Sequence, residues 1–208
     1  MESRTWWTSS RRLVTVFVAA ILGVSGAVVM RPAGAQAAPY TPVPTSRDPE
    51  IGPFYMKNYH SGKCLDVPGQ SMNNNVLLDQ WTCVNQTNVK WSLRFAGWQM
   101  SSQSVWASFR IVNNHSGKCL TVPRGTRATN GDRLSQTTCQ SYNGDIDLGG
   151  RDVWWWLVMD GIPMLQNLAS LECIDVAGAS MSNGAPVVNW TCLRGDRPTN
   201  RGWNMVRA

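Results

Sequence analysis

The chain contains one unit of about 50 residues written three times. The stretch Asn58-Tyr59-His60-Ser61-Gly62-Lys63-Cys64-Leu65-Asp66-Val67 recurs as Asn113-Asn114-His115-Ser116-Gly117-Lys118-Cys119-Leu120-Thr121-Val122. It recurs more loosely as Asn167-Leu168-Ala169-Ser170-Leu171-Glu172-Cys173-Ile174-Asp175-Val176. A second Cys follows each first one after 19, 20 and 19 positions, at Cys83, Cys139 and Cys192. A Trp then follows with an apolar residue one or two places on, at Trp91, Trp156 and Trp203. One such unit cannot bury its apolar face alone, so the copies must share a core. The three Trp recur in every copy and are expected there.

The local texture is β. Short apolar stretches such as Val76-Leu77-Leu78 and Phe109-Arg110-Ile111-Val112 sit between turn clusters such as Ser61-Gly62-Lys63 and Asn73-Asn74-Asn75. That is the pattern of strands and hairpins, and no stretch after the first forty residues keeps a helical period. Three all-β copies, about 53–108, 109–160 and 161–208, close best as a pseudo-three-fold barrel that leaves no strand edge open.

Six Cys allow 15 pairings, and the three-fold pattern selects Cys64–Cys83, Cys119–Cys139 and Cys173–Cys192. Each closes a loop of about 20 residues, worth roughly 3 kcal/mol in the chain-entropy model. No Cys lies in a C-x-x-C pair, which argues against a zinc ribbon or a thioredoxin-like site.

The N-terminus reads as an address. Arg4, Arg11 and Arg12 precede an apolar run from Leu13 to Met30, and small residues follow through Ala35-Gln36-Ala37. This is the form of a signal peptide over 1–37, with a linker over 38–52 and the domain over 53–208. The rival reading is a membrane anchor, but the run is short for a span and holds Gly23, Ser25 and Gly26. Export predicts a secreted, extracellular protein without membrane insertion, in an oxidising compartment where disulfides persist. Residues 1–37 carry four Arg and one Glu, so half of the formal charge of +6 leaves with them. The remaining +3 argues against a nucleic-acid partner.

The Ser-Gly-Lys-Cys-Leu-Asp-Val run, the Trp-Thr-Cys run and the later Trp resemble the ricin-type β-trefoil lectins, also called family 13 carbohydrate-binding modules. The resemblance covers about residues 53–207 and implies an all-β trefoil with one potential sugar site per repeat. One feature departs from the family. Its Gln-x-Trp signature reads Val89-Lys90-Trp91, Trp154-Trp155-Trp156 and Arg201-Gly202-Trp203, with no Gln in any copy.

A sugar offers hydroxyls and one apolar C–H face. An aromatic plate fits that face, and a carboxylate and an amide serve the hydroxyls. In the family these roles fall to the Asp of the Cys-x-Asp-Val run, an aromatic two residues before the second Cys, and an Asn three before the last Trp. Carried over, they give Asp66, Trp81 and Asn88 in the first copy and Asp175, Trp190 and Asn200 in the third. The second copy offers Thr121, Thr137 and Val153, so two of the three sites are expected to bind. The predicted partner is a galactose-type or other hexose or pentose glycan, or a polysaccharide, held by a monomer with no cofactor and no metal.

Two other classes compete. A glycosidase needs two carboxylates about 5 or 6.5–9.5 Å apart around a cleft, and the repeats leave no segment from which to build one. His60 and His115 occupy equivalent turns, which argues against one shared catalytic site. A protein-binding trefoil, such as a protease inhibitor, would use an exposed loop, and Ser141 to Asp152, with Asp145, Asp147 and Asp152, is the candidate. Its glycines and spacing argue against an EF-hand.

Overall fold

A computed structural model describes residue 44 and residues 47–100, 105–123, 129–140, 150–192 and 199–208. All of them fall in the unit Ala37–Ala208. The expected signal peptide, most of the expected linker and positions 141–149 of the candidate loop lie outside the described residues.

Among the described residues thirteen strands run in chain order: β1 (Glu50–Asn58), β2 (Cys64–Asp66), β3 (Val76–Leu77), β4 (Asp79–Trp81), β5 (Lys90–Met100), β6 (Val105–Asn113), β7 (Cys119–Thr121), β8 (Ser135–Thr137), β9 (Trp154–Met159), β10 (Ile162–Asn167), β11 (Glu172–Val176), β12 (Ala185–Thr191) and β13 (Trp203–Arg207). Pairing runs β1-β2-β4-β12-β11-β10-β9-β6, and β5 joins β6 back to β1, so the sheet closes on itself. Among the described residues no helix is long and apolar enough to cross a membrane.

Period-two alternation explains the core. Leu65, Leu120 and Ile174 are each flanked on their strand by a Cys and by the residue that faces a candidate site. They are fully buried, and so are Met56, Ile111 and Leu165. Val67, Val122 and Val176 join them, as do Leu78, Leu134 and Val187, so each layer takes one residue from each copy. The fifth layer is Trp91, Trp154 and Trp203, whose indole Nε1 donates to the carbonyl of Leu65, Leu120 and Ile174 at 3.0, 3.0 and 3.1 Å.

That layer corrects the expectation for Trp156. Trp154, not Trp156, is the fully buried middle member. Trp156 is half-buried against the core and packs on Phe109, with ring centroids 6.0 Å apart. It stands two residues after Trp154, as Leu93 follows Trp91 and Met205 follows Trp203.

Buried asparagines lock the copies together. Asn58 Nδ2 donates to the carbonyls of Asn200 and Gly202, Asn113 Nδ2 to Asn88 and Lys90, and Asn167 Nδ2 to Arg151 and Val153. Each Oδ1 accepts two backbone N–H groups of its own turn. That turn needs a left-handed residue before Lys63, Lys118 or Glu172. The first two copies use Gly62 (φ 67°) and Gly117 (φ 68°), and the third puts Leu171 there at φ 61°. Disulfides join Cys64 to Cys83, Cys119 to Cys139 and Cys173 to Cys192.

Candidate functional site

In the first copy β2 and β4 pair so that Cys64 faces Trp81 and Asp66 faces Asp79. Gln80 and Leu65 point inward and are fully buried, so alternation turns Asp66, Asp79 and Trp81 outward. The 3-10 turn Thr87–Val89 brings in Asn88, whose Nδ2 donates to Asp66 Oδ1 at 2.6 Å and to the Val67 carbonyl at 3.1 Å. Pro68–Gln70 forms a second wall, with Gly69 at φ 63°. Asp66, Asp79, Trp81 and Asn88 thus line one cleft of about 210 Å³.

Trp81 is 43% exposed, which leaves an indole available as a plate. It sits beside Gly184 of the third copy, where a Cβ would lie 4.0 Å from both the indole Cζ3 and Asp79 Oδ2. The carboxylate and the ring edge therefore converge on one point. Burial pushes Asp66 up to about 7, aided by the charge of Asp79 and a hydrogen bond with it, against the pull of the Val67 N–H and Asn88. Burial raises Asp79 to about 6, against the pull of Asp66 and Arg133.

The third copy uses the same frame with different chemistry. Asp175 is buried, accepts from Asn200 Nδ2 at 2.5 Å, and pairs with Arg201 Nε at 2.6 Å. Burial raises its pKa, and the Arg201 hydrogen bond and charge oppose that. Opposite Asp175 stands Val188, where the first copy has Asp79. Trp190 lies opposite Cys173 and is 36% exposed, with Gly131 of the second copy beside its ring.

The second copy is closed upon itself. Thr121 is fully buried, and its Oγ1 meets Thr137 Oγ1 at 2.9 Å. Val153 does not take the place expected for it. Counting from Trp154, the residue three before is Arg151, whose guanidinium donates to the Val122 and Pro123 carbonyls. Asp152 takes the place of Val89 and Arg201, and pairs with Arg110 Nε at 3.0 Å. A cleft of about 600 Å³ remains beside Thr137, bordered by Arg133 and Arg151, and among the described residues no aromatic ring lines it.

Asp66, Trp81 and Asn88 are therefore together, and Asp175 and Asn200 are joined, with Trp190 two register positions away on β12. Sequence reasoning missed Asp79 and Arg201. Asp79-x-Trp81 is an alternating pair on one strand face, and Arg201 fills the place of the missing Gln. Either pattern would have marked them.

The family model described as "Ricin-type beta-trefoil lectin domain-like" matches residues 45–137 and 96–190. No curated protein sequence matches the chain. Among solved structures, the designed three-fold symmetric protein ThreeFoil is similar at 26% identity and TM-score 0.59, over 76% of this chain and 100% of its own. An exo-beta-1,3-galactanase from Clostridium thermocellum is similar at 24% identity and TM-score 0.60, over 80% of this chain but 31% of its own. The Macrolepiota procera ricin B-like lectin, solved with lactose, is similar at 16% identity and TM-score 0.53, over 74% and 94%.

Proposed function

We propose, for a chain that belongs to the ricin-type beta-trefoil lectin domain-like family, that it is a secreted, monomeric lectin of three repeats. Its first and third lobes hold glycans, and the second does not. The observation that carries this reading is the convergence of an exposed indole, a buried carboxylate and a buried amide, Trp81, Asp66 and Asn88, on one cleft.

The chemistry is that of holding, not cleaving. Asp66 and Asp79 stand directly opposite each other on paired strands, whereas the two carboxylates of a glycosidase are set apart around the scissile bond. Both also lie on one wall and do not flank a bond. A single shallow sugar site binds at about 1 mM, about 4 kcal/mol. Two sites on one rigid body gain avidity on a polymer or a clustered glycan. The Macrolepiota protein's lactose complex supports a galactose-type sugar as the first ligand to try.

The test is retention on galactose resin or an insoluble polysaccharide. Elution by free sugar at constant salt supports the reading. Elution by salt alone, with no effect of sugar, overturns it.

A further inference from the structure

The first-lobe cleft has more acceptors than a neutral sugar can use. Two carboxylates stand directly opposite on paired strands, where like charges repel. Neither takes part in an ion pair among the described residues. Among the described residues no Lys, Arg or His lines the cleft. The one cation among them that the pair feels is Arg133, which acts on Asp79, donates Nη2 to the Leu78 carbonyl and lines the neighbouring cleft. Asn88 is 5% exposed, lines the cleft, and has its Oδ1 buried without a hydrogen-bond partner. Asp79 Oδ1 is likewise buried and unpartnered.

A hydroxyl brings one donor to such a place. An ammonium brings three donors and a positive charge. Trp81 beside the pair adds an indole face, which attracts both a cation and a sugar's C–H face.

We propose that the Asp66–Asp79 pair makes the first lobe a receptor for a sugar with a free amine, a 2-amino-2-deoxyhexose bound as its ammonium form. The inference rests on the sugar-binding reading above and narrows its ligand class. The third lobe is the built-in contrast. There Val188 replaces Asp79, and Arg201 already neutralises Asp175, so that lobe gains nothing from an amine.

The protonation of the pair supports the geometry. With Asp66 near 7 and Asp79 near 6, the empty cleft keeps a proton at mildly acidic pH, and an ammonium displaces it. Amine binding therefore strengthens from pH 5 to pH 6.5. Among the described residues Arg133 is the only other charged group acting on the pair.

The experiment is titration calorimetry of the purified protein with fully deacetylated chitotetraose and with its fully N-acetylated counterpart. At pH 6.5 and low salt the amine is expected to bind about tenfold tighter, the size of one charge-assisted contact, and the advantage shrinks at pH 5. Asp79→Val, which installs the third-lobe residue, and Asp79→Asn each remove the advantage, so that the two oligomers bind alike. Asp175→Asn leaves the advantage in place. Equal binding of the two oligomers overturns the inference while the sugar-binding reading stands, and so does an advantage that survives both Asp79 variants. No binding of these or of any neutral sugar overturns both.

Discussion

Asn113 Nδ2 donates to the Asn88 carbonyl at 2.8 Å, so the first residue of the second copy's turn holds the backbone that presents a candidate sugar ligand of the first. The Asn113 side chain is fully buried, and its Oδ1 caps the N–H groups of His115 and Ser116. Replacing it with Ala takes that partner from the His115 and Ser116 N–H groups and leaves the Asn88 carbonyl only the Val67 N–H, and an unsatisfied buried group costs about 1–3 kcal/mol. Asn113→Ala should cost roughly 3 kcal/mol in denaturant unfolding and weaken sugar binding in the first lobe. Asn114→Ala, next to it and exposed, should do neither.

Trp154 and Trp156 separate in the same way. Trp154→Phe loses the indole donor to the Leu120 carbonyl and opens space in the fully buried layer, so it should cost about 2–3 kcal/mol. Trp156→Phe should cost under about 1 kcal/mol. Thermal melts of the two variants check this, and equal losses would contradict the layer assignment.

Leu171 occupies a left-handed turn position that glycine fills in the other two copies. Its side chain is 57% exposed, so little packing is lost on removing it. A left-handed residue other than Gly costs about 1–2 kcal/mol, partly offset by the greater chain entropy of Gly. Leu171→Gly should therefore stabilise the fold by about 0.5–1 kcal/mol, read as a raised Tm.

The carboxylate pair fixes the sign of a pH dependence. Asp66 and Asp79 are raised from 3.8 to about 7 and about 6. The folded state thus binds more protons than the unfolded chain between those limits. Their contribution is fully favourable below pH 3.8 and is lost as pH rises through 6 to 7. Asp79→Asn should raise Tm by a few degrees at pH 7.5 and leave it nearly unchanged at pH 4, where carboxyl and amide are both neutral.

Much of this was legible because repetition lets a sequence be checked against itself. The Cys spacing selected the pairs that the structure joins, and recurrence placed Trp91 and Trp203 in the core. The error at Trp156 has a plain cause. The second copy carries a longer segment between Cys139 and its buried indole, so counting from the Cys gives no fixed offset, and three consecutive Trp offer two residues of the same strand face. The pairing Trp91-x-Leu93, Trp154-x-Trp156, Trp203-x-Met205 holds the answer. Val153 failed with it, since its place was counted from the wrong indole. The chemical difference between the lobes stands in the sequence as Asp79-x-Trp81 against Val188-x-Trp190 and was missed. What only folding fixes is the strand register that sets those residues opposite Asp66 and Asp175.

Indole N–H resonances during a sugar titration test the central claim most directly. Galactose or a chitotetraose added to 15N-labelled protein should shift the Nε1–H signals of Trp81 and Trp190, each assigned by substitution. The signals of Trp91, Trp154 and Trp203, bonded to carbonyls in the core, should stay in place. Shifts confined to other tryptophans, or none at saturating sugar, would contradict the account.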